Sequence, residues 1–137
     1  AATAKALRLS MEKLDIFISK TGQMKAVIRQ ALLDYPDIFV FSDEEDFAPH
    51  ILTFGIKGVR GEVIVHAFED YDIFISTTSA CSSKAGKPAG TLIAIGVEKD
   101  KAQSAVRVSL DLENDMSQVE QFLTNLKLIY NQTRKVR

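Results

Sequence analysis

The chain has 137 residues, 46% of them hydrophobic, which is enough for one domain with a single core. Its 17 basic and 18 acidic residues leave a net charge of −1, without the basic excess expected first of a general nucleic-acid binder. The single cysteine allows no internal disulfide, and no apolar run approaches the roughly 20 residues of a membrane helix. This composition favours a protein of the reducing cytoplasm without a membrane span.

The first third of the chain predicts two amphipathic helices. Residues at steps of three and four form a first apolar stripe: Leu7, Met11, Leu14 and Phe17. The pair Thr21-Gly22 interrupts the pattern, which resumes over residues 24–35. Pro36 ends the second helix, because the residue before a proline avoids helical backbone angles.

Short β-branched and aromatic runs predict the strands. Residues 37–41 and 50–56 are two strands, joined by the acidic turn of residues 42–49. Residues 62–71 then predict a helix, and residues 72–76 a third strand. The expected buried face of that helix consists of Val63, Ile64, Ala67 and Phe68.

The last part of the chain contains the clearest alternation. Residues 89–96 predict a short helix closed by Gly96, and residues 104–110 predict a fourth strand. In that strand the even-numbered Val106, Val108 and Leu110 face one way, and Ala105, Arg107 and Ser109 the other. Ser117 followed by Glu120 has the spacing of a capping box at the start of the last helix. The apolar stripe of that helix is Val119, Phe122, Leu123, Leu126, Ile129 and Tyr130.

Four strands with interspersed helices predict an α+β fold. We expect a two-layer sandwich, with a small, mostly antiparallel sheet and helices on one face. Such a layout is shared by several topologies and does not by itself indicate a function.

Cys81 is the first candidate functional residue. It lies in a run of small and polar residues, 77–83, which is a poor hydrophobic core, although free cysteine is often simply buried. Lys84 and Lys87 would favour the reactive thiolate if they approached the sulfur. His50 and His66 stand on separate predicted elements, so neither a papain-like Cys–His pair nor a metal site is expected.

Arg107 is the second candidate. A charged residue in the middle of an alternating strand either points outward into solvent or serves as a clamp for a carboxylate. The pattern alone leaves both interpretations open.

A third motif, Gly55-Ile56-Lys57-Gly58, has the G-x-x-G spacing of RNA-binding KH domains. Because glycines serve turns in every fold class, a plain strand-to-helix turn over residues 55–61 is the favoured interpretation. A non-enzymatic nucleic-acid-binding module that uses this loop is kept as the alternative from a different functional class.

Two of these motifs together resemble a known family. Ser79-Ala80-Cys81-Ser82-Ser83, and the stretch Ala105-Val106-Arg107-Val108-Ser109-Leu110 at the matching distance downstream, are similar to the C-terminal part of NifS-like cysteine desulfurases. These enzymes belong to the class V aminotransferase family and use pyridoxal phosphate. The resemblance covers most of the chain.

The resemblance implies a role for each candidate. The intact enzyme would convert L-cysteine to L-alanine, with Cys81 taking the sulfur as a persulfide and passing it to an acceptor protein. Arg107 would hold the carboxylate of the substrate. A cysteine on a loop of small residues could move between the cofactor and the acceptor.

The resemblance also implies what this chain lacks. Residues 1–137 would be the small domain of a fold-type I enzyme, with residues 1–20 forming the helix that links to a larger domain. The lysine that binds the cofactor has a His-Lys context in the family, and neither histidine here precedes a lysine. The isolated chain is therefore expected to be inactive, with cofactor binding and most of a homodimer interface supplied by the larger domain.

Two positions depart from the family pattern. Thr77-Thr78 stands where the family usually has a glycine, and Asp111 follows the arginine motif where glycine and arginine are common. They leave room for a specialised or weakly active desulfurase. A related lyase acting on selenocysteine or cystine is kept as an alternative, because the substrate-binding groups would be shared. The pathway served, whether iron–sulfur assembly, tRNA thiolation or thiamine synthesis, is open.

Overall fold

The computed structural model describes residues 2–42, 48–78 and 90–135. The helices in these ranges are α1 Ala2–Glu12, α2 Leu14–Leu33, α3 Gly61–Glu69, α4 Gly90–Ala94, α5 Lys99–Gln103 and α6 Met116–Lys135. The strands are β1 Ile38–Val40, β2 Ile51–Ile56, β3 Ser76–Thr77 and β4 Val106–Ser109. None of the described helices is both long and apolar enough to cross a membrane.

The four strands form one sheet in the order β1-β2-β4-β3, and each neighbouring pair is antiparallel. Leu52 on β2 pairs with Val108 on β4, and Phe54 pairs with Val106. Because side chains alternate along a strand, these apolar pairs all project to the same face. The predicted α+β class with an antiparallel sheet is confirmed.

The main core lies between this face and helices α2, α3 and α6. Phe68 of α3 stacks on Phe122 of α6 with ring centres 4.9 Å apart, and Phe54 of β2 meets Phe122 edge-on at 6.3 Å. Such ring pairs add to the stability gained from burial alone. The expected stripe of the last helix is confirmed, with only Leu123 half-buried.

The other face of the sheet carries a second, smaller cluster. Leu92 of α4 and Ala102 of α5 pack with Ala105, against Phe41 at the end of β1. Helix α5, absent from the sequence-based prediction, brings Ser104 so close to Gly55 that a Cβ there would lie 2.2 Å from the Ser104 hydroxyl. One end of this face is therefore covered, and the rest is left for other contacts.

The break between the first two helices falls earlier than expected. Thr21 is buried, and its hydroxyl donates a hydrogen bond to the Phe17 carbonyl at 2.6 Å, so the helix continues through Thr21-Gly22. The break is at Lys13 instead. Helix α1 has no buried residue, and Leu7 and Met11 are 62% and 66% exposed, so these two residues of the first apolar stripe are not covered by the described residues.

The third strand is shorter than expected because the preceding turn has its own hydrogen bonds. Asp72 adopts a left-handed φ of 57°, and the Ile73 amide donates to the Phe68 carbonyl at 3.1 Å. Only Ser76 and Thr77 pair with β4. On α3, Ile64 and Phe68 are buried as expected, but Val63 is 53% exposed.

The cap of α6 also lies two residues before the predicted one. The Asp115 carboxylate accepts a hydrogen bond from the Gln118 amide at 3.0 Å, and the Gln118 side-chain oxygen accepts one from the Asp115 amide at 3.3 Å. This reciprocal pair is a capping box in which Asp115 and Gln118 play the parts assigned to Ser117 and Glu120.

Replacing Asp115 by alanine should lower the free energy of unfolding by about 1 kcal/mol, because it removes the cap. Ser117→Ala should change it by less than about 0.5 kcal/mol, because that side chain is exposed and outside the cap. Urea denaturation of the two variants measures this difference. Equal losses would contradict the cap.

Gly55→Ala should destabilise the fold by about 1–3 kcal/mol, since the new Cβ would overlap Ser104. Adding Ser104→Ala should recover part of the loss by removing the hydroxyl. Gly90→Ala is the control, because no atom lies within 4 Å of a Cβ at that position. Urea denaturation compares the four proteins, and a neutral Gly55→Ala would refute the close packing of α5 on β2.

Candidate functional site

Arg107 lies in the middle of β4 on the face opposite the main core. Its neighbours Val106 and Val108 are buried, whereas Arg107 and Ser109 are exposed, so the predicted alternation is confirmed there. Ala105, expected on the Arg107 face, is also on that side but is 2% exposed, because the α4–α5 cluster covers it. The clamp candidate is therefore at the edge of the covered region.

Two hydroxyl-bearing residues flank Arg107 across the sheet. Thr53 on β2 and Ser76 on β3 are its direct cross-strand partners. Among the described residues, none forms a hydrogen bond or ion pair with the Arg107 guanidinium. A permanently charged guanidinium without a counter-ion, between two hydroxyls, can bind a carboxylate through paired N–H donors.

Cys81 lies outside the described residues, as do Lys84 and Lys87. The chain leading to Cys81 is described as far as Thr78, whose amide donates to the Ala105 carbonyl at 3.5 Å. Three residues span at most about 11 Å, so Cys81 is tethered within that distance of Thr78, the residue after β3. The strand that leads to the thiol is thus the strand that pairs with Arg107.

Lys101, one of the two lysines of α5, is already engaged. Its ammonium group is 2.8 Å from the Glu98 carboxylate and 5.3 Å from the centre of the Phe39 ring. The hydrogen bond from Lys101 and its charge lower the pKa of the Glu98 carboxyl. This pair stabilises the edge of the α4–α5 cluster rather than offering a free cation.

The two histidines have separate surroundings, as the sequence predicted. The His50 ring contacts Phe17 with centres 5.1 Å apart, and its buried Nδ1 has no hydrogen-bond partner among the described residues. His66 is exposed on α3 and pairs with Glu69 at 2.7 Å. The described residues contain no group of three potential metal ligands.

Each glycine of residues 55–61 has a structural reason. Gly58 has a left-handed φ of 70°, and Gly55 packs against Ser104. A Cβ at Gly61 would lie 2.8 Å from the Ala105 carbonyl oxygen. The strand-to-helix turn therefore explains the G-x-x-G spacing without a nucleic-acid ligand.

Asp111, which departs from the family pattern, is used within its own turn. Its carboxylate accepts a hydrogen bond from the Leu112 amide, and its amide donates to the Asn114 side chain at 2.8 Å. These contacts fix the turn between β4 and α6. The acidic group is held there rather than paired with Arg107.

Sequence reasoning found Arg107 but missed Thr53 and Ser76. Their positions beside the guanidinium follow from the register of β4 with β2 and β3. Single-sequence patterns show alternation within a strand but do not reveal which residues of distant strands are paired.

The sequence of the chain is similar to that of one known protein family. The model of the family described as aminotransferase class V matches residues 1–122. The chain is 42% identical to a NifS/IcsS protein homolog of Lactobacillus delbrueckii subsp. bulgaricus, over 99% of this chain and 36% of that protein. It is 32% identical to a putative cysteine desulfurase IscS 1 of Bacillus subtilis, over 84% of this chain and 31% of that protein.

Solved structures give the same fold. A NifS-like protein superposes on 96% of this chain and 32% of its own length, with a TM-score of 0.78 and 23% identity. A NifS-like protein from Rickettsia africae superposes on 90% of this chain and 31% of its own, with a TM-score of 0.76 and 20% identity. The chain spans about a third of the length of these relatives.

Arg107→Gln should leave the free energy of unfolding within about 0.5 kcal/mol of the original, because the exposed guanidinium has no described partner. Leu52→Ala, at a fully buried position of the neighbouring strand, should cost about 2–5 kcal/mol. Chemical denaturation distinguishes the two. A large loss in Arg107→Gln would indicate a structural role instead of a binding role.

Proposed function

We propose that this chain, which belongs to the class V aminotransferase family, is the C-terminal small domain of a cysteine desulfurase. One observation carries the proposal: Arg107, which has no hydrogen-bond or ion-pair partner among the described residues, lies on the strand that pairs with β3, and β3 leads into Ser79-Ala80-Cys81. This arrangement gives a carboxylate-binding group and a thiol on neighbouring segments. Relatives named as cysteine desulfurases support the same assignment.

The exposed start of the chain fits a connection to a larger domain. We propose that residues 1–20, which include α1 and the start of α2, form the link, and that the apolar side chains of this segment pack against the remainder of the protein. Phe17 of this segment is half-buried, but its other large hydrophobic side chains are between 43% and 66% exposed: Leu7, Leu9, Met11, Leu14, Ile16 and Ile18. Side chains of this kind, set together on one segment, favour a protein contact.

Dependence on pyridoxal phosphate is a trait of this family, and the described residues do not by themselves fit a site for it. Lys25 is the buried lysine among them, and its ammonium donates a hydrogen bond to the Ala48 carbonyl at 3.1 Å. The described part of the chain offers no lysine beside Arg107 for the cofactor. The cofactor lysine and the rest of its site therefore belong to the larger domain.

In this proposal Arg107 positions the substrate. Its two parallel N–H donors take the carboxylate of L-cysteine, and β4 fixes the guanidinium because Val106 and Val108 anchor the strand in the core. Thr53 and Ser76 line the two sides of this position. Fixing one end of the substrate sets where its sulfur can lie.

Cys81 accepts the sulfur. The net reaction moves the sulfur atom of L-cysteine to the Cys81 thiol, which yields L-alanine and an enzyme persulfide. An acceptor thiolate then attacks the outer sulfur, which regenerates the Cys81 thiolate and leaves the acceptor as a persulfide. We infer a homodimeric, cytoplasmic enzyme with L-cysteine and a sulfur-acceptor protein as its partners.

In the intact protein, Cys81→Ala should abolish alanine release from L-cysteine, because the sulfur would have no thiol to receive it. Absorbance of the bound cofactor should remain, which shows that the variant is folded and loaded. Cys81→Ser is the matched control for size and should be equally inactive. Normal alanine release by either variant would overturn the role of Cys81.

Arg107→Lys should raise the KM for L-cysteine by roughly tenfold or more, because lysine keeps the charge but loses the paired hydrogen bonds. Cysteamine, which lacks the carboxylate, serves as a competing ligand, and Arg107→Lys should change its inhibition constant by a smaller factor than the KM for L-cysteine. Steady-state kinetics and inhibition measure both values. Selenocysteine assayed in parallel tests the related lyase activity, since it carries the same carboxylate.

A further inference from the structure

Phe74 is the most exposed of the large hydrophobic residues that the structure describes, at 79%. The residues on both sides of Phe74 are anchored. Ile73 and Ile75 both pack against the main core, and the Ile73 amide is bonded to the Phe68 carbonyl. The exposure of Phe74 is therefore set by the backbone between two anchored neighbours.

A cavity of about 190 Å³ opens beside Phe74, between the turn before β3 and the start of α6. Phe122 and Val119 contribute apolar walls, and Asp72, Asn114 and Gln118 contribute polar ones. A small cavity with an apolar wall next to an exposed ring can receive one side chain of a partner.

The two chain segments that border this cavity form an acidic rim, in which Asp72 is the carboxylate that lines the cavity itself. Seven exposed carboxylates lie on the two bordering segments, residues 69–76 and 110–121, which contain no lysine or arginine: Glu69, Asp70, Asp72, Asp111, Glu113, Asp115 and Glu120. His66 pairs with Glu69, and the Lys20 ammonium reaches the Leu112 carbonyl from α2. Because the whole chain has a net charge of only −1, this concentration is local.

We propose that Phe74, the adjoining cavity and this acidic rim form the docking surface for the sulfur acceptor. The occupant is a basic segment of that protein with an apolar side chain for the cavity. The proposal rests on the desulfurase function above. The acidic rim selects the basic partner, because complementary charge raises the rate of encounter and disfavours acidic proteins.

The position of Phe74 in the sequence, close to Cys81, supports the sulfur acceptor as the occupant of this surface. Phe74 precedes Cys81 by seven residues, so a protein docked there is within about 24 Å of the thiol by chain length alone. The same segment carries Ser76 beside Arg107. An acceptor held at Phe74 would therefore lie within reach of a persulfide carried on Cys81.

The experiment uses the intact enzyme with [35S]cysteine and two sulfur sinks. Dithiothreitol takes sulfur without docking, and the protein sink is the purified acceptor that acquires 35S from the unaltered enzyme. Phe74→Ser should lower transfer to the acceptor at least tenfold at low acceptor concentration. Alanine release with dithiothreitol should stay within about twofold, as Phe74 is outside the residues assigned to the reaction.

Charge variants test the chemistry of the partner. Asp72→Asn with Glu113→Gln should slow transfer and flatten its dependence on salt. Val63→Ser, at a 53% exposed site on α3, and Asp34→Asn with Asp100→Asn are the matched controls and should transfer normally. A short peptide with lysines around one leucine should inhibit transfer, whereas its glutamate counterpart should not.

The outcomes separate the two proposals. No alanine release by the unaltered enzyme with dithiothreitol would overturn the desulfurase function and this assignment with it. Normal transfer by Phe74→Ser overturns only the docking surface. If Phe74→Ser loses alanine release with dithiothreitol, the surface belongs to the interior of the protein instead. If the variant changes its oligomeric state, the surface is a contact with a second copy of the chain instead.

Discussion

The antiparallel pairing of β3 with β4 is the constraint on which the site depends. It holds Ser76 opposite Arg107 and Thr77 opposite Val106, so the chain that continues to Cys81 starts from a fixed point. Val106 is fully buried, which ties this pairing to the stability of the core. The thiol therefore has a rigid base even though only two residues form the strand.

Strand β4 carries core residues on one face and the candidate binding residue Arg107 on the other. Side chains of β4 alternate, so Val106 and Val108 are buried while Arg107 remains exposed between them. A change at Arg107 alters the surface with little effect on packing, whereas a change at either valine alters the core. A binding group on a rigid strand is held more precisely than one on a loop.

The sequence predicted an element correctly where a periodic pattern fixed it, and incorrectly where a hydrogen bond made in the fold moved the end of the element. The period of β4 and the stripe of α6 are local, and both were confirmed because nothing opposes them. Thr21-Gly22 has the composition of a break, yet the buried Thr21 hydroxyl bonds to Phe17 and the helix continues. The third strand begins later than predicted. The hydrogen bond from the Ile73 amide to the Phe68 carbonyl extends the turn after α3 into the first residues of the predicted strand.

The candidate site, like the fold, could be predicted from the sequence only in part. Arg107 could be predicted because its own strand marks it, but the neighbours Thr53 and Ser76 come from strands far away in sequence. No periodic pattern encodes that register. Phe74 lies within the predicted third strand, and its exposure is a property of the fold that the sequence alternation alone does not reveal.

The order of residues 72–81 suits a thiol that serves two partners. Cys81 lies five residues after Ser76 and seven after Phe74, so its tether reaches at most about 17 Å from the first and about 24 Å from the second. The proposed substrate position and the proposed docking position are thus both within reach of one short segment. Because Ile73 and Ile75 anchor that segment in the core, the two positions are fixed relative to each other. Only the carrier would have to move, and the scaffold that orients both partners need not change.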